Sequence, residues 1–273
     1  MYMDSLLPYC FNEVKQANLT YLLGANSAGK TTLVKKLANR LILEEKSVAI
    51  IDADIGQSSI LPLTINLLYI NKPFESLAEL ERIEWEFIPE YEMNRYVIDK
   101  LLKAERKFVG KARKEKDYCL VDSMGFVEKG AGIAFKKEEV ETIDPDLIIA
   151  LERAGELGPI LELVKPRYHA LKFEVPIEVK KLKRRERKEL RNGKFKLYFE
   201  DSRLYEIETK TSSTWKYRVV GLYSKDDEFL GLGSIVDKKD DKLSILTPVR
   251  DEISKIEFSY VMVDPEKGEI AKL

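Results

Sequence analysis

Short apolar runs alternate with stretches of helical periodicity through the first two thirds of the chain. The run Leu19-Thr-Tyr-Leu-Leu-Gly24 predicts a strand over about 18–23, and a helix is expected over about 30–44 with Leu33, Leu37, Leu41 and Leu43 on its apolar face. A second strand over 47–52 delivers Asp52-Ala-Asp54-Ile-Gly56-Gln57. Residues 60–90 are less regular, with one strand expected over 83–89, and a long helix follows over about 93–114, where Tyr96, Val97, Leu101, Leu102 and Phe108 recur at helical spacing. Further strands are read at Tyr118-Cys-Leu-Val-Asp122, over 147–151 and over 169–175, the last closed by Pro176. Strands alternating with helices in this way predict a parallel sheet with helices on both faces. Sites in such sheets lie beyond the carboxyl ends of the strands. Lys30, Asp52 or Asp54, Asp122 and Glu152 fall at such ends and are expected to converge on one pocket.

The pattern then changes. Residues 180–191 carry eight Lys or Arg in twelve, and Asn192-Gly193 reads as a helix stop. Beyond them come short β-like runs over 215–223, 229–236, 243–246 and 253–263, with turns at Asp226-Asp227, Asp240-Asp241 and Asp264-Pro265. The expected division is a domain over 1–195 that includes a basic helix at about 178–193, and a small β domain over 196–273. Residues 1–18 form a lead-in packed against the core, to which no chemistry is assigned.

Composition narrows this picture little. Of 273 residues 44% are hydrophobic, enough for an ordinary core, and no apolar run is long enough to span a bilayer. No signal peptide is visible, and Cys10 and Cys119 make no disulfide framework, so a cytoplasmic protein is expected, or a nuclear one in a eukaryote. A net charge of −1 means that any nucleic-acid role must come from a local basic patch. The excess of Lys and Glu hints at a thermophilic source.

The candidate chemistry starts at Gly24-Ala25-Asn26-Ser27-Ala28-Gly29-Lys30-Thr31-Thr32, a G-x-x-x-x-G-K-T between a predicted strand and a predicted helix. Glycines at its two ends let the backbone turn N–H groups toward phosphate oxygens, and the helix adds the positive end of its dipole. Lys30 reaches β- and γ-phosphates, and the Thr31 hydroxyl is a magnesium ligand. Asp122, ending an apolar strand, fits the acid that holds such a metal through water, and Asp122-x-x-Gly125 resembles a γ-phosphate sensor. Asp54 follows Lys30 by 24 residues, where a carboxylate can take the proton of an attacking hydroxyl. Asp52, turned away by the pleat, is expected to be structural. Arg187 and Arg191 share a helical face, as a bidentate phosphate clamp requires. His169 is expected to pack.

Together these pieces resemble the P-loop polynucleotide 5′-hydroxyl kinase family, which includes the kinase subunit of the pre-mRNA cleavage and tRNA-splicing machinery, the nucleolar rRNA-processing kinases and archaeal relatives. The resemblance rests on the glycine loop, on Asp52-x-Asp54-x-Gly56-Gln57, and on Asp122-Ser-Met-Gly125-Phe126-Val-Glu-Lys-Gly130-Ala-Gly132. The basic segment before Tyr198-Phe199 and the Gly221-Leu222 and Gly231-Leu-Gly233 pairs also fit. It implies ATP and Mg2+ as cofactors and transfer of the γ-phosphoryl to the 5′-hydroxyl of RNA or DNA. It also implies residues 24–32 as the nucleotide cradle, Asp54 as general base, and Thr31, Asp54 and Asp122 around the metal. Arg187 and Arg191 take the lid, and Gln57, Gly125 and Phe126 face the polynucleotide, Phe126 standing where the family has a base-stacking tryptophan. RNA-processing proteins are implied as partners. Two departures leave the polymer preference open: no clear Thr-Ser-Pro segment follows the strand over 83–89, and the long N-terminal domain of the larger members has no counterpart in this chain. Two rival readings stand beside the kinase. One is a nucleotide-bound scaffold without turnover. The other is a GTPase-like switch, against which Asn71-Lys72-Pro73-Phe74 lacks the guanine-reading acid.

Overall fold

A computed structural model describes residues 2–80, 82–209 and 216–272. The chain divides into two compact units, one of Met1–Asp54, Ile65–Trp85 and Ile98–Leu182, the other of Ile55–Thr64, Glu86–Val97 and Lys183–Leu273. The expected boundary after residue 195 thus falls inside a helix, and the basic segment groups with the second unit, joined there by two short excursions of the chain.

The first unit is built on β1 (Leu19–Gly24), β2 (Val48–Asp52), β3 (Thr64–Ile70), β4 (Arg82–Phe87), β5 (Tyr118–Asp122), β6 (Leu147–Glu152) and β7 (Ala170–Glu174), in the order β4-β3-β2-β5-β1-β6-β7. Strands β2, β5, β1, β6 and β7 run parallel. β3 returns antiparallel to β2, so the sheet is mixed and mostly parallel. No helix separates β2 from β3, and without a crossover a neighbouring strand must reverse. Sequence pattern missed β3 because nearly every one of its residues is buried, leaving no alternation to read.

The helices are α1 (Tyr2–Val14), α2 (Lys30–Leu43), α3 (Arg95–Glu115), α4 (Lys129–Ile143) and α5 (Gly158–Val164). α2 carries the chain from β1 toward one edge of the sheet, whereas α3, α4 and α5 each carry it the other way. Right-handed crossovers therefore set α2 on one face and the other three on the opposite face. The lead-in is α1, which packs on α2 and buries Cys10, Phe11 and Val14. Leu33, Val34, Leu37 and Leu41 are fully buried in α2, but Leu43 is 69% exposed. It stands two residues, about 200°, beyond Leu41 and so on the far side of the helix. Tyr96 likewise departs from its expected place: Val97, Leu101, Leu102 and Phe108 are buried in α3, whereas Tyr96 is exposed and donates its hydroxyl to Glu257.

The second unit holds α6 (Arg184–Phe199) and six antiparallel strands, β8 (Arg203–Glu208), β9 (Arg218–Tyr223), β10 (Phe229–Lys239), β11 (Lys242–Thr247), β12 (Lys255–Val263) and β13 (Ile270–Lys272), ordered β13-β12-β9-β10-β11-β8. Alternate residues Val220, Leu222, Ile235, Leu243 and Ile245 meet Val249 and Ile253 in its core. Asp227 and Asp240 take positive φ at the expected turns. The predicted strand over 215–223 begins at Arg218, and Trp215 lies outside the described residues.

Gly193 does not stop the basic helix. α6 runs on to Phe199 because Phe195 and Phe199, one turn apart, are both buried, and Tyr198 accepts the Leu232 amide at 2.7 Å. Burial of two aromatic rings outweighs a glycine penalty of about 1 kcal/mol. Phe195→Ala is expected to destabilise the protein by about 3–5 kcal/mol in urea unfolding and to shorten α6; an unchanged midpoint would show that the helix persists without this packing.

Candidate active site

The parallel register sets the ends of three strands side by side: Leu22 of β1 and Asp52 of β2 both pair with Asp122 of β5. From this rim the loop 24–29 turns back into α2, with Ser27 at φ 61° and Gly29 at φ 100°. Glycine suits the second of these left-handed positions. Asp122-x-x-Gly125 lies directly against that loop. A Cβ on Gly125 would collide with Asn26 Oδ1 and come within 2.5 Å of the Asn26 backbone nitrogen.

Lys30 is buried, and its Nζ donates to the carbonyls of Gly24 at 2.7 Å and Ala25 at 3.2 Å. The Thr31 hydroxyl donates to Asp122 Oδ2 at 2.5 Å. Burial pushes the Asp122 carboxyl up to about 6; the Lys30 ammonium and the Thr31 hydrogen bond oppose that shift, and the Asp54 charge adds to it. Burial also lowers the Lys30 pKa, while Asp122 and Asp54 pull it back up. Lys30, Thr31, Asp54, Asp122 and Gly125 are therefore gathered in one place. Asp54 is half-buried, whereas Asp52 is fully buried under the rim.

Glu152 does not join this group. Although it ends β6, its carboxylate is occupied by Lys172 at 2.9 Å and by the Leu157 amide at 3.1 Å. Its chain neighbour Arg153, passed over in the sequence, holds the loop instead. Arg153 donates Nη2 to the Ser27 carbonyl at 2.5 Å and Nη1 to the Val179 carbonyl at 2.9 Å. Its position just past a strand end was the available signal. Phe126 is half-buried, its ring 6.2 Å from that of Phe135. His169 is neither in the core nor at the rim; it sits at the surface 3.2 Å from Glu13.

The remaining candidates belong to the second unit. Arg187 and Arg191 are half-buried on one side of α6, whereas Arg184, Arg185, Lys188 and Glu189 are exposed on the other. Arg191 donates to the Gly56 carbonyl at 3.3 Å and stacks 5.5 Å from the Tyr91 ring centre, and Lys194 donates to the Ser58 carbonyl. Gln57 bonds the carbonyl of Gly56. The inner face of α6 is thus tied to the segment that follows Asp54 in the chain.

This arrangement can bind a nucleotide through loop amides and a lysine. A family model described as mRNA cleavage and polyadenylation factor CLP1 P-loop matches residues 24–201. Among similar proteins, a polyribonucleotide 5′-hydroxyl-kinase of Pyrococcus horikoshii is 38% identical over 71% of this chain and 53% of its own length. One of Methanocaldococcus jannaschii is 34% identical over 72% of this chain and 55% of its own. The chain spans about half the length of the curated relatives it matches. A solved wild-type Clp1p–Pcf11p complex contains a chain that superposes with a TM-score of 0.72 at 12% identity, covering 96% of this chain and 79% of that one, a likeness of fold.

Asp122 sets a pH dependence. Its folded pKa of about 6 lies above the ordinary 3.8, so the stability linked to its protonated form is complete below 3.8 and lost as pH rises through 6. Asp122→Asn is expected to raise the stability of the nucleotide-free protein at pH 7 by at most about 3 kcal/mol, with the gain disappearing near pH 4 in thermal melts. Gly125→Ala is expected to weaken nucleotide binding severalfold in a fluorescent-nucleotide titration, because the new methyl displaces Asn26.

Proposed function

The chain belongs to the CLP1 P-loop family, and from that premise we propose that it transfers the γ-phosphoryl of ATP to the 5′-hydroxyl of RNA, with magnesium as cofactor. The observation that carries this reading is the grouping of one buried ammonium, one hydroxyl and two carboxylates at the rim of the sheet. The activity for which the archaeal relatives are named supports it.

Amides of residues 24–32 take the phosphates, and Lys30 exchanges the carbonyls of Gly24 and Ala25 for phosphate oxygens. A magnesium ion held by Thr31 and Asp122, with Asp54 in reach, would neutralise charge building up on the phosphates. A carboxylate half-buried beside two other charges suits Asp54 to the general-base role. Asp54 accepts the proton of the 5′-hydroxyl as that oxygen forms its bond to the γ-phosphorus. The bond from phosphorus to the bridging oxygen breaks in line, and ADP leaves with the electron pair. Arg187 and Arg191 offer guanidinium groups on one helix face for the charge on the transferred group. Phe126 and Gln57 are assigned to the polynucleotide end.

Incubation with γ-labelled ATP and short 5′-hydroxyl oligonucleotides is expected to label the 5′ end, RNA before DNA. Lys30→Ala should abolish the label and Asp54→Asn should lower kcat by about 10²–10⁴-fold with nucleotide affinity retained. Replacing Arg187 and Arg191 together by Ala should reduce kcat and flatten the salt dependence of RNA binding. Tight nucleotide binding with no labelled product would instead favour a scaffold.

A further inference from the structure

Behind the strand ends, and touched by none of the steps above, lies a cluster of polar side chains with no solvent exposure at all. Lys136 and Glu139 reach in from α4, Glu105 from α3, Tyr21 from β1 and Ser123 from the residue after β5, all at 0%. Lys136 spends all three ammonium protons there: on Glu139 Oε2 at 2.6 Å, on Tyr21 Oη at 3.0 Å and on Ser123 Oγ at 3.2 Å. Tyr21 donates its own hydroxyl proton to Glu139 at 2.5 Å. Ser123 donates its proton to the Leu22 carbonyl at 2.6 Å, across from β5 to β1. Burial and the neighbouring Glu139 hold the Glu105 pKa well above the usual carboxylate range.

Stability alone is a poor account of this cluster. A buried ion pair rarely outperforms apolar side chains of the same volume, because desolvation cancels most of the attraction. Its position offers a better one. The Ser123 bridge sits one residue beyond the Leu22–Asp122 pair, where β1 is about to become the glycine loop and β5 has just presented its acid. Lys136 orients that bridge and places a fixed positive charge that acts on both Asp122 and Lys30.

We propose that Lys136 is a positioning residue for the phosphate site: through the Ser123 bridge to Leu22 it holds the Asp122 carboxylate where a magnesium–nucleotide requires it. The proposal rests on the reading of Asp122 as a metal-holding acid. Outer partners that fix a metal-holding group typically change metal affinity by about 10–100-fold when removed.

The test is nucleotide affinity of the full chain measured with a fluorescent ATP analogue, once with Mg2+ and once with EDTA. In Lys136→Met combined with Glu139→Gln the two charges leave together, so no lone buried ion remains. The gain in affinity that Mg2+ confers is expected to fall about tenfold or more, with affinity in EDTA changed less than twofold. Ser123→Ala, which keeps the ion pair, is expected to move the same ratio in the same direction by less, and decides the matter alone if the double variant does not fold. An unchanged Mg2+ gain, or equal losses with and without Mg2+, would overturn the proposal and leave the cluster a packing feature. These readouts require no phosphoryl transfer: a native chain that binds nucleotide with a Mg2+ gain but labels no oligonucleotide refutes the kinase reading and leaves this one standing.

Discussion

A carboxyl group taken almost out of water, one hydroxyl and one ammonium away from neutrality, governs the first unit. Asp122 is nearly inaccessible, bonded to Thr31 and within the field of Lys30, and its burial cost is offset only in part. Such a group is poised to receive a positive charge, since a divalent ion would repay the desolvation that Lys30 and Thr31 leave unbalanced. The surrounding structure is arranged to keep it there. β5 lies between β1 and β2, so that the acid, the loop and Asp52 are neighbours by strand register alone.

The same economy extends into the loop. Lys30 turns its ammonium back to two carbonyls of its own loop, which take two of its three protons. On the proposed reading, phosphate binding would exchange these for bonds to an anionic oxygen. Arg153 reinforces the loop from β6, drawing the Ser27 carbonyl toward the segment near Val179. Phosphate affinity in such a site comes from donors already aimed before the ligand arrives.

In the second unit, α6 divides its residues by face. Arg187, Arg191, Lys194 and Phe195 lie inward or half-inward, as does Glu186, while Arg184, Arg185, Lys188 and Glu189 are exposed. The inward arginine and lysine bond carbonyls of the segment 55–64, which continues directly from Asp54. The helix is anchored at its far end by the buried rings of Phe195 and Phe199 and nearer its middle by the polar bonds of Arg191 and Lys194.

Local chemistry determined much of this in advance. The glycine loop, its lysine and threonine, the strand-end acids Asp54 and Asp122 and the i, i+4 arginines are all short-range patterns, and each needs only its own spacing to be read. The strands of the parallel core were legible for the same reason, as were the aspartate turns of the β sheet. Tertiary structure decided what depends on distant partners. It buried β3 on both faces and so erased its alternation, carried α6 through Gly193 by packing Phe195 and Phe199, exposed Leu43, and drew Glu152 away to Lys172. It also assembled Tyr21, Glu105, Ser123, Lys136 and Glu139 from three separate elements and the residue after β5 into one buried cluster. No window along the chain contains that cluster, because hydrogen bonding across a sheet and its helices depends on which strands lie side by side, and strand order is settled only when the whole core closes.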